Sequence, residues 1–379
     1  MTKQFITGDL TQPVTIDTGG TWVLAGNQTI EIAAPPVPGP SSTGIRTLDS
    51  AAGLSLVVKG DIMMGGAQDV GILIGSDDAQ LTIGANSTIS AGYGVLSDNA
   101  AGEATMVNAG LIDASLVGVY QSAGVSHFTN EATGKINGVD AIRTGIADDG
   151  DSFNFVNKGE IVGSDHSFLI IGADANIRNI NKITGDVALG SGNDRFNTRF
   201  GDLFGDIYGG NGSDVFILKD AATMIHENPI EGIDLVKIAA DYALDANIEN
   251  LTLLGTGNFN ATGNASANVI TGNKGANQIL GLEGNDTLNG GRGNDTLTGW
   301  LDADTFIFHR NGDIDTITDF ADGEDHVQLK GWKTIDEYAD FSGRISQVGA
   351  DVVIKFGDGD KLILTNFEMS DLTADDFIF

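Results

Sequence analysis

Five glycines stand nine residues apart, at Gly263, Gly272, Gly281, Gly290 and Gly299. The sixth place of each unit reads Asn268, Asn277, Asp286, Asp295 and Asp304, and the eighth reads Ile270, Ile279, Leu288, Leu297 and Phe306. One unit, Gly290–Thr298 (GGRGNDTLT), carries the full pattern Gly-Gly-x-Gly-x-Asp-x-apolar-x. Gly209–Ile217 (GGNGSDVFI) matches it as well, and Gly190–Phe196 (GSGNDRF) holds its core. Glycines let a backbone turn tightly and aim successive carbonyl oxygens at one point. The sixth-place Asp adds a hard carboxylate oxygen, and the apolar eighth residue starts a short strand. Two units make one turn of a coil, so Asp286 and Asp304 fall on one edge of adjacent turns. An all-oxygen site of that kind suits calcium better than magnesium or zinc.

The candidate metal residues in the main array are Asn277, Gly281, Glu283, Gly284, Asp286, Gly290, Gly291, Arg292, Gly293, Asp295, Gly299, Asp302 and Asp304. An earlier site is expected from Gly190, Gly192 and Asp194 against Gly209, Asn211, Gly212 and Asp214. The sites are unequal. Asn277 facing Asp295, and Asn268 facing Asp286, each offer one carboxylate where the Asp286–Asp304 pair offers two. Unit 299–307 puts Asp302 where glycine is expected, beside Trp300, so that Asp302 either adds an oxygen or obstructs the turn. A phosphate-binding glycine loop would need a Lys-Ser/Thr pair and a following helix, and neither follows here.

The elements that position these corners must be short strands. Apolar residues come in runs of three to five, broken by Gly, Asn and Asp, with almost no helical period. Earlier in the chain a looser motif, apolar–Asn–x–Gly–x–Ile, recurs at Val107–Ile112, Thr129–Ile136, Val156–Ile161 and Arg178–Ile183, with a weak copy at Ala85–Ile89. The asparagines at 86, 108, 130, 157 and 179 mark one coil each of a parallel β-solenoid, whose rungs lie ~4.8 Å apart. Asn at that place suits left-handed turns and can stack its amide on the next rung. The proline-rich stretch Ala34–Pro40 reads as a surface loop.

Composition narrows the partners. In 379 residues, 52 Asp and Glu face 20 Lys and Arg, a net charge of −32 that repels nucleic acid and anionic lipid. Gly reaches 53 and cysteine is absent, which excludes disulfides, thiolate metal sites and Cys nucleophiles. Met1–Leu10 lacks the apolar core of a secretory signal peptide, and no apolar run approaches a membrane span.

The nonapeptides, with Ile183–Asp194 (ITGDVALGSGND) and Asn250–Leu254 (NLTLL), resemble the RTX (haemolysin-type) calcium-binding proteins of Gram-negative bacteria. The tail segments Asp315–Phe320, Ala350–Phe356 and Asp371–Phe379 resemble the C-terminal flank of the serralysin-type members. The resemblance covers about the second half. It implies a parallel β-roll folded by calcium and an uncleaved type I secretion signal closing in Asp375-Asp376-Phe377-Ile378-Phe379. The fold expected is all-β: a right-handed parallel β-helix (1–185), a first RTX-like segment (186–249), a calcium-binding β-roll (250–310) and a C-terminal β cap (311–379).

Catalytic motifs are missing. His226-Glu227-Asn228-Pro229-Ile230 lacks the second His of a zinc protease, and no Gly-x-Ser-x-Gly elbow occurs. The Tyr-Gly-Phe-Asp-Pro-His stretch shared by RTX-tailed alginate epimerases is absent. Candidate polar clusters are Asp148, Asp149 and Asp151, Asp165-His166 and the nearby Arg143. The expected function is non-catalytic: a secreted or cell-surface, calcium-stabilised solenoid with an adhesive or structural role, exported by type I secretion machinery. Polysaccharide or surface glycan is the partner class, and a polysaccharide lyase or epimerase is the alternative.

Overall fold

The computed structural model describes residues 54–379 apart from 76–77, 98–102, 123–124, 146–151, 173, 230–231, 312 and 358; before residue 54 it describes five strands. The stretch Ala34–Pro40 lies outside the described residues. The protein is nearly all-β and about 2% helical, a parallel β-solenoid. Among the described residues, no helix is long and apolar enough to cross a membrane. The chain divides into two units, Met1–Asp214 with Thr223–His226, and Val215–Ala222 with Glu227–Phe379.

In the N-terminal unit two parallel sheets face each other across the core. One stacks Gln80–Ile83, Glu103–Asn108, Val125–Asn130, Ser152–Asn157, Asp174–Asn179 and Arg195–Asn197 in register. The other stacks Thr88–Ser97, Leu111–Gln121, Lys135–Thr144, Glu160–Leu169 and Lys182–Ala188. The repeated Ile of the sequence motif is the first inward residue after each corner. Ile89, Ile112, Ile136, Ile161 and Ile183 pair rung upon rung and are all buried. Phe128, Phe153, Phe155 and Phe168 fill the space between the sheets, with ring centroids 5.2–6.4 Å apart.

The asparagine repeat is a buried amide ladder. Asn108 donates to Asn130 at 2.9 Å, Asn130 to Asn157 at 3.0 Å, and Asn157 to Asn179 at 2.9 Å. Asn179 passes the chain on to Thr198 at 3.2 Å. These asparagines close extended strands, and none adopts the left-handed backbone that also suits Asn at a corner. Asn86 stands apart: it is exposed, and Ile83 takes the position that pairs with Asn108.

In the C-terminal unit the nonapeptides alternate between two sheets. Ile270, Leu288 and Phe306 stack on one, and Ile279 and Leu297 on the other, each at most 1% exposed. The tail both continues the coil and caps it. Asp360–Leu364 adds in parallel to Ile314–Ile317, and Phe377–Ile378 adds to His326–Lys330. Asp351–Gly357 and Ile345–Val348 then turn antiparallel, covering an edge that would otherwise template association. Phe308, Trp332, Phe341 and Phe356 pack beneath this cap.

Removing one rung of the amide ladder strands its neighbours' buried groups. Asn130→Ala should therefore lower the unfolding free energy by about 2–4 kcal/mol, whereas Asn86→Ala should change it by less than ~0.5 kcal/mol, both read from urea melts.

Candidate metal centre

Each sixth-place residue sits at the corner just before its strand and is buried to 1% exposure despite its polarity. The carboxylates are tied turn to turn through one oxygen. Asn268 N–H donates to Asp286 Oδ1 at 2.7 Å, Asp286 N–H to Asp304 Oδ1 at 2.9 Å, and Asp304 N–H to Asp325 Oδ1 at 2.9 Å. On the opposite edge, Asn277 N–H donates to Asp295 Oδ1 at 2.7 Å and Asp295 N–H to Asp315 Oδ1 at 3.0 Å. The earlier stretch repeats the geometry: Ala175 N–H reaches Asp194 Oδ1 at 2.6 Å, and Asp194 N–H reaches Asp214 Oδ1 at 2.8 Å.

The second oxygen is different. Asp194 Oδ2, Asp286 Oδ2 and Asp295 Oδ2 are buried and have no hydrogen-bond partner among the described residues. Each main-array carboxylate leans over the glycine that opens its own unit. A Cβ at Gly281 would collide with Asp286 Oδ2, one at Gly290 with Asp295 Oδ2, and one at Gly299 with Asp304 Oδ2. A Cβ at Gly281 would also come within 2.9 Å of the carbonyl oxygen of Gly299 on the next turn. Bare carboxylate oxygens and backbone carbonyls thus share a cradle that only glycine leaves open.

Burial pushes the Asp286, Asp295 and Asp304 carboxyls up to about 7, and those of Asp194 and Asp315 up to about 8. The backbone N–H bonds oppose the rise and neighbouring carboxylates, such as Asp302 beside Asp286, add to it. No Lys or Arg pairs with these groups among the described residues. A buried, unpaired carboxylate is stable only when protonated or when a cation replaces its lost hydration. An all-oxygen donor set selects a hard ion, and its irregular geometry favours calcium over magnesium.

The asparagine units need no ion. Asn268 Oδ1 accepts from Asn264 N–H at 2.7 Å, and Asn277 Oδ1 accepts from Asn273 N–H at 2.9 Å. Their amide groups donate to Ile248 O and Phe259 O. Asn277 is therefore satisfied by the protein itself and is the poorest of the expected ligands.

Third-place side chains Glu283, Arg292 and Asn211 are exposed, so any share they take in a site is through the backbone. Gly284, Gly293, Gly192 and Gly212 hold φ between 108° and 136°, and Gly291 holds 93°. Asp302 fits the same turn at φ 72° and its Oδ2 accepts from Gly284 N–H at 3.0 Å, so it does not obstruct. Gly209 is buried at the corner, and Gly190 takes φ 86°.

Two ladder members lie beyond the glycine register. Asp315 and Asp325 follow Asp295 and Asp304 by 20 and 21 residues; each is an acid placed before an apolar alternation, and Asp325 keeps a glycine, Gly323, two residues before it. There the turn glycines give way to side chains: Asp319 accepts from the N–H groups of Gly299 and Trp300 at 3.1 and 2.9 Å.

A second polar cluster forms in the N-terminal unit. His166 Nδ1 lies 3.1 Å from Asp140 Oδ1 and 3.4 Å from Asp165 Oδ2, and Arg143 reaches Asp140 Oδ2 at 3.3 Å. Sequence spacing pointed to Arg143, Asp165 and His166 but missed Asp140, which the rung pairing sets opposite His166. The register shifts on either side of Asp140 and His166 mark bulges that re-aim these side chains. Asp148, Asp149 and Asp151 lie outside the described residues.

The family model of the RTX calcium-binding nonapeptide repeat matches residues 262–297 and 280–314. Residues 262–314 are RTX calcium-binding nonapeptide repeats. The repeats of this family bind calcium. Two curated relatives from Rhizobium meliloti are similar over 169 residues, which is 45% of this chain: the endo-1,3-1,4-beta-glycanases EglC, 38% identical, and ExsH, 40% identical. The matched stretch spans about a third (34%) of each of those relatives. A solved structure, the extracellular lipase LipA from Serratia marcescens, aligns over 80% of this chain and 45% of its own at 13% identity, with a TM-score of 0.30. A likeness at that score carries no argument.

Asp286→Asn with Asp304→Asn keeps the shape and the Oδ1 contacts but removes both charges. Calorimetric titration of this double variant should show fewer calcium ions bound, and the calcium-induced rise in melting temperature should shrink. Without calcium, the raised carboxyl pKa values mean that the folded roll holds more protons than the unfolded chain. Stability in chelator should then fall as pH rises from about 4 toward 7–8, and calcium should reverse that trend by displacing the protons. Melting curves at pH 5 and pH 8, with and without chelator, test both signs.

Proposed function

We propose that the protein is exported by type I secretion machinery and works outside the cell, at the surface or in the matrix, as a calcium-stabilised solenoid with an adhesive or structural role. The observation that carries this is the set of buried Oδ2 atoms at Asp194, Asp286 and Asp295, which a cation completes once the carboxyls are ionised. Extracellular calcium modules bind at about 10⁻⁴–10⁻³ M, so such a site stays empty where the ion is scarce and fills outside. Ions that bind only the folded form stabilise it by mass action. Inside the cell the uncompensated charge of −32 favours the open chain. The tail Asp371–Phe379 is assigned as the export signal by its resemblance to the serralysin-type flank.

A second reading is polysaccharide turnover. Two observations favour it: Asp140, Asp165 and His166 place their ligand atoms within 4.8 Å of one another beside Arg143, and the two Rhizobium relatives are named as glycanases. Asp140 holds the imidazole by Nδ1, which leaves Nε2 for proton transfer.

Circular dichroism of the full chain separates these ideas. Chelator should remove a large part of the β signal and added calcium should restore it; a spectrum indifferent to calcium overturns the proposal. Calcium-dependent attachment or self-assembly without release of reducing ends supports the adhesive role. Release of reducing ends from an acidic polysaccharide that His166→Ala abolishes would establish the enzyme instead.

A further inference from the structure

The outer face of the first sheet in the N-terminal unit differs from the rest of this acidic protein. The parallel register sets His127, Asn154, Asn176 and Arg195 in one outward row. The adjoining row holds Thr129, Val156, Arg178 and Asn197. Together they line an open groove of about 460 Å³. None of these side chains is a carboxylate, although the chain carries 52 of them. Asp174, just outside the rows, is engaged by Asn193 N–H at 2.8 Å.

Arg178 and Arg195 are exposed and form no ion pair among the described residues, while Lys135, Arg143, Lys158 and Lys182 all do. Arg199 and Arg292 are likewise without an ion pair among the described residues, but Arg178 and Arg195 stand together, on adjacent rungs of one carboxylate-free face. The planar guanidinium fork matches a carboxylate in bidentate fashion. The amides of Asn154, Asn176 and Asn197, with the Thr129 hydroxyl, offer donors and acceptors suited to sugar hydroxyls. From His127 to Arg195 the groove spans four rungs, three spacings of ~4.8 Å or ~14 Å in all, along which several linked sugars fit. A polyphosphate is the poorer match, because its denser charge is repelled by the whole molecule.

We infer that this face binds a carboxylated polysaccharide lying across the strands, with Arg178 and Arg195 holding its carboxylates. The inference rests on the surface or matrix role above and names its ligand. The calcium-loaded full chain, immobilised, is titrated with polygalacturonate, with neutral dextran and with double-stranded DNA. Saturable binding to polygalacturonate alone is expected. Arg178→Gln with Arg195→Gln should weaken it by about tenfold or more with an unchanged melting temperature, since both side chains are exposed. Undiminished binding by that variant overturns this face and leaves the adhesive role standing. Equal binding of dextran or DNA overturns the assigned ligand, and no binding to polygalacturonate removes glycan attachment altogether.

Discussion

The C-terminal unit depends on one interaction, a buried carboxylate that the protein half satisfies. Each ladder Asp gives Oδ1 to the N–H of the residue one turn before it, which fixes the stacking register of the turns. In Asp286 and Asp295 the remaining oxygen is left bare in a glycine-lined cradle. The backbone bond is worth about 1–3 kcal/mol, against the several kcal/mol that a buried charge loses in desolvation. A proton closes that gap at low pH and a divalent cation closes it once the carboxyls ionise. Stability, register and metal binding are therefore one property of the same corner.

The N-terminal unit solves the same geometric problem with neutral groups. Asn130, Asn157 and Asn179 each donate forward and accept from behind, and Asn108 starts the column by accepting from Gly110 N–H, so it needs no ion and no proton. Asn268 and Asn277 bring this solution into the nonapeptides, where they satisfy their own turns and still donate their backbone N–H to the first charged corners, Asp286 and Asp295. The start of the array can thus order without calcium and offer a template for the ion-dependent turns that follow. That polarity agrees with solenoid folding, in which each turn is stabilised chiefly by its neighbour.

The sequence made the parallel coil, the Asp ladder and the amide ladder legible because stacked turns repeat their contacts at fixed spacing. It was less informative where a contact survives a change of residue type. Asp315 and Asp325 keep the ladder bond, but Arg310 and Phe320 stand where the opening glycine of the unit would be, so the register that exposes Asp286 is lost. Asn86 looks like a rung member by its step from Asn108, yet it lies in an exposed corner three residues past the true partner, Ile83. Asp140 was invisible because a bulge, which no spacing rule encodes, brings it to His166. The clean face of Arg178 and Arg195 needs the rungs assembled before its two rows exist.

The backbone shows why the roll should sit near balance without its ion. Leu282, Trp300 and Asp302 hold φ of 85°, 91° and 72°, in turn positions where Gly284, Gly291 and Gly293 take similar angles at no steric cost. Each non-glycine residue there loses roughly 1–2 kcal/mol relative to a relaxed conformation. An ion at a hundred times its dissociation constant returns about 2.7 kcal/mol per site. Strain and the stabilisation that a bound ion would give are of the same size. A roll built wholly of glycine at those positions would be easier to fold and harder to switch.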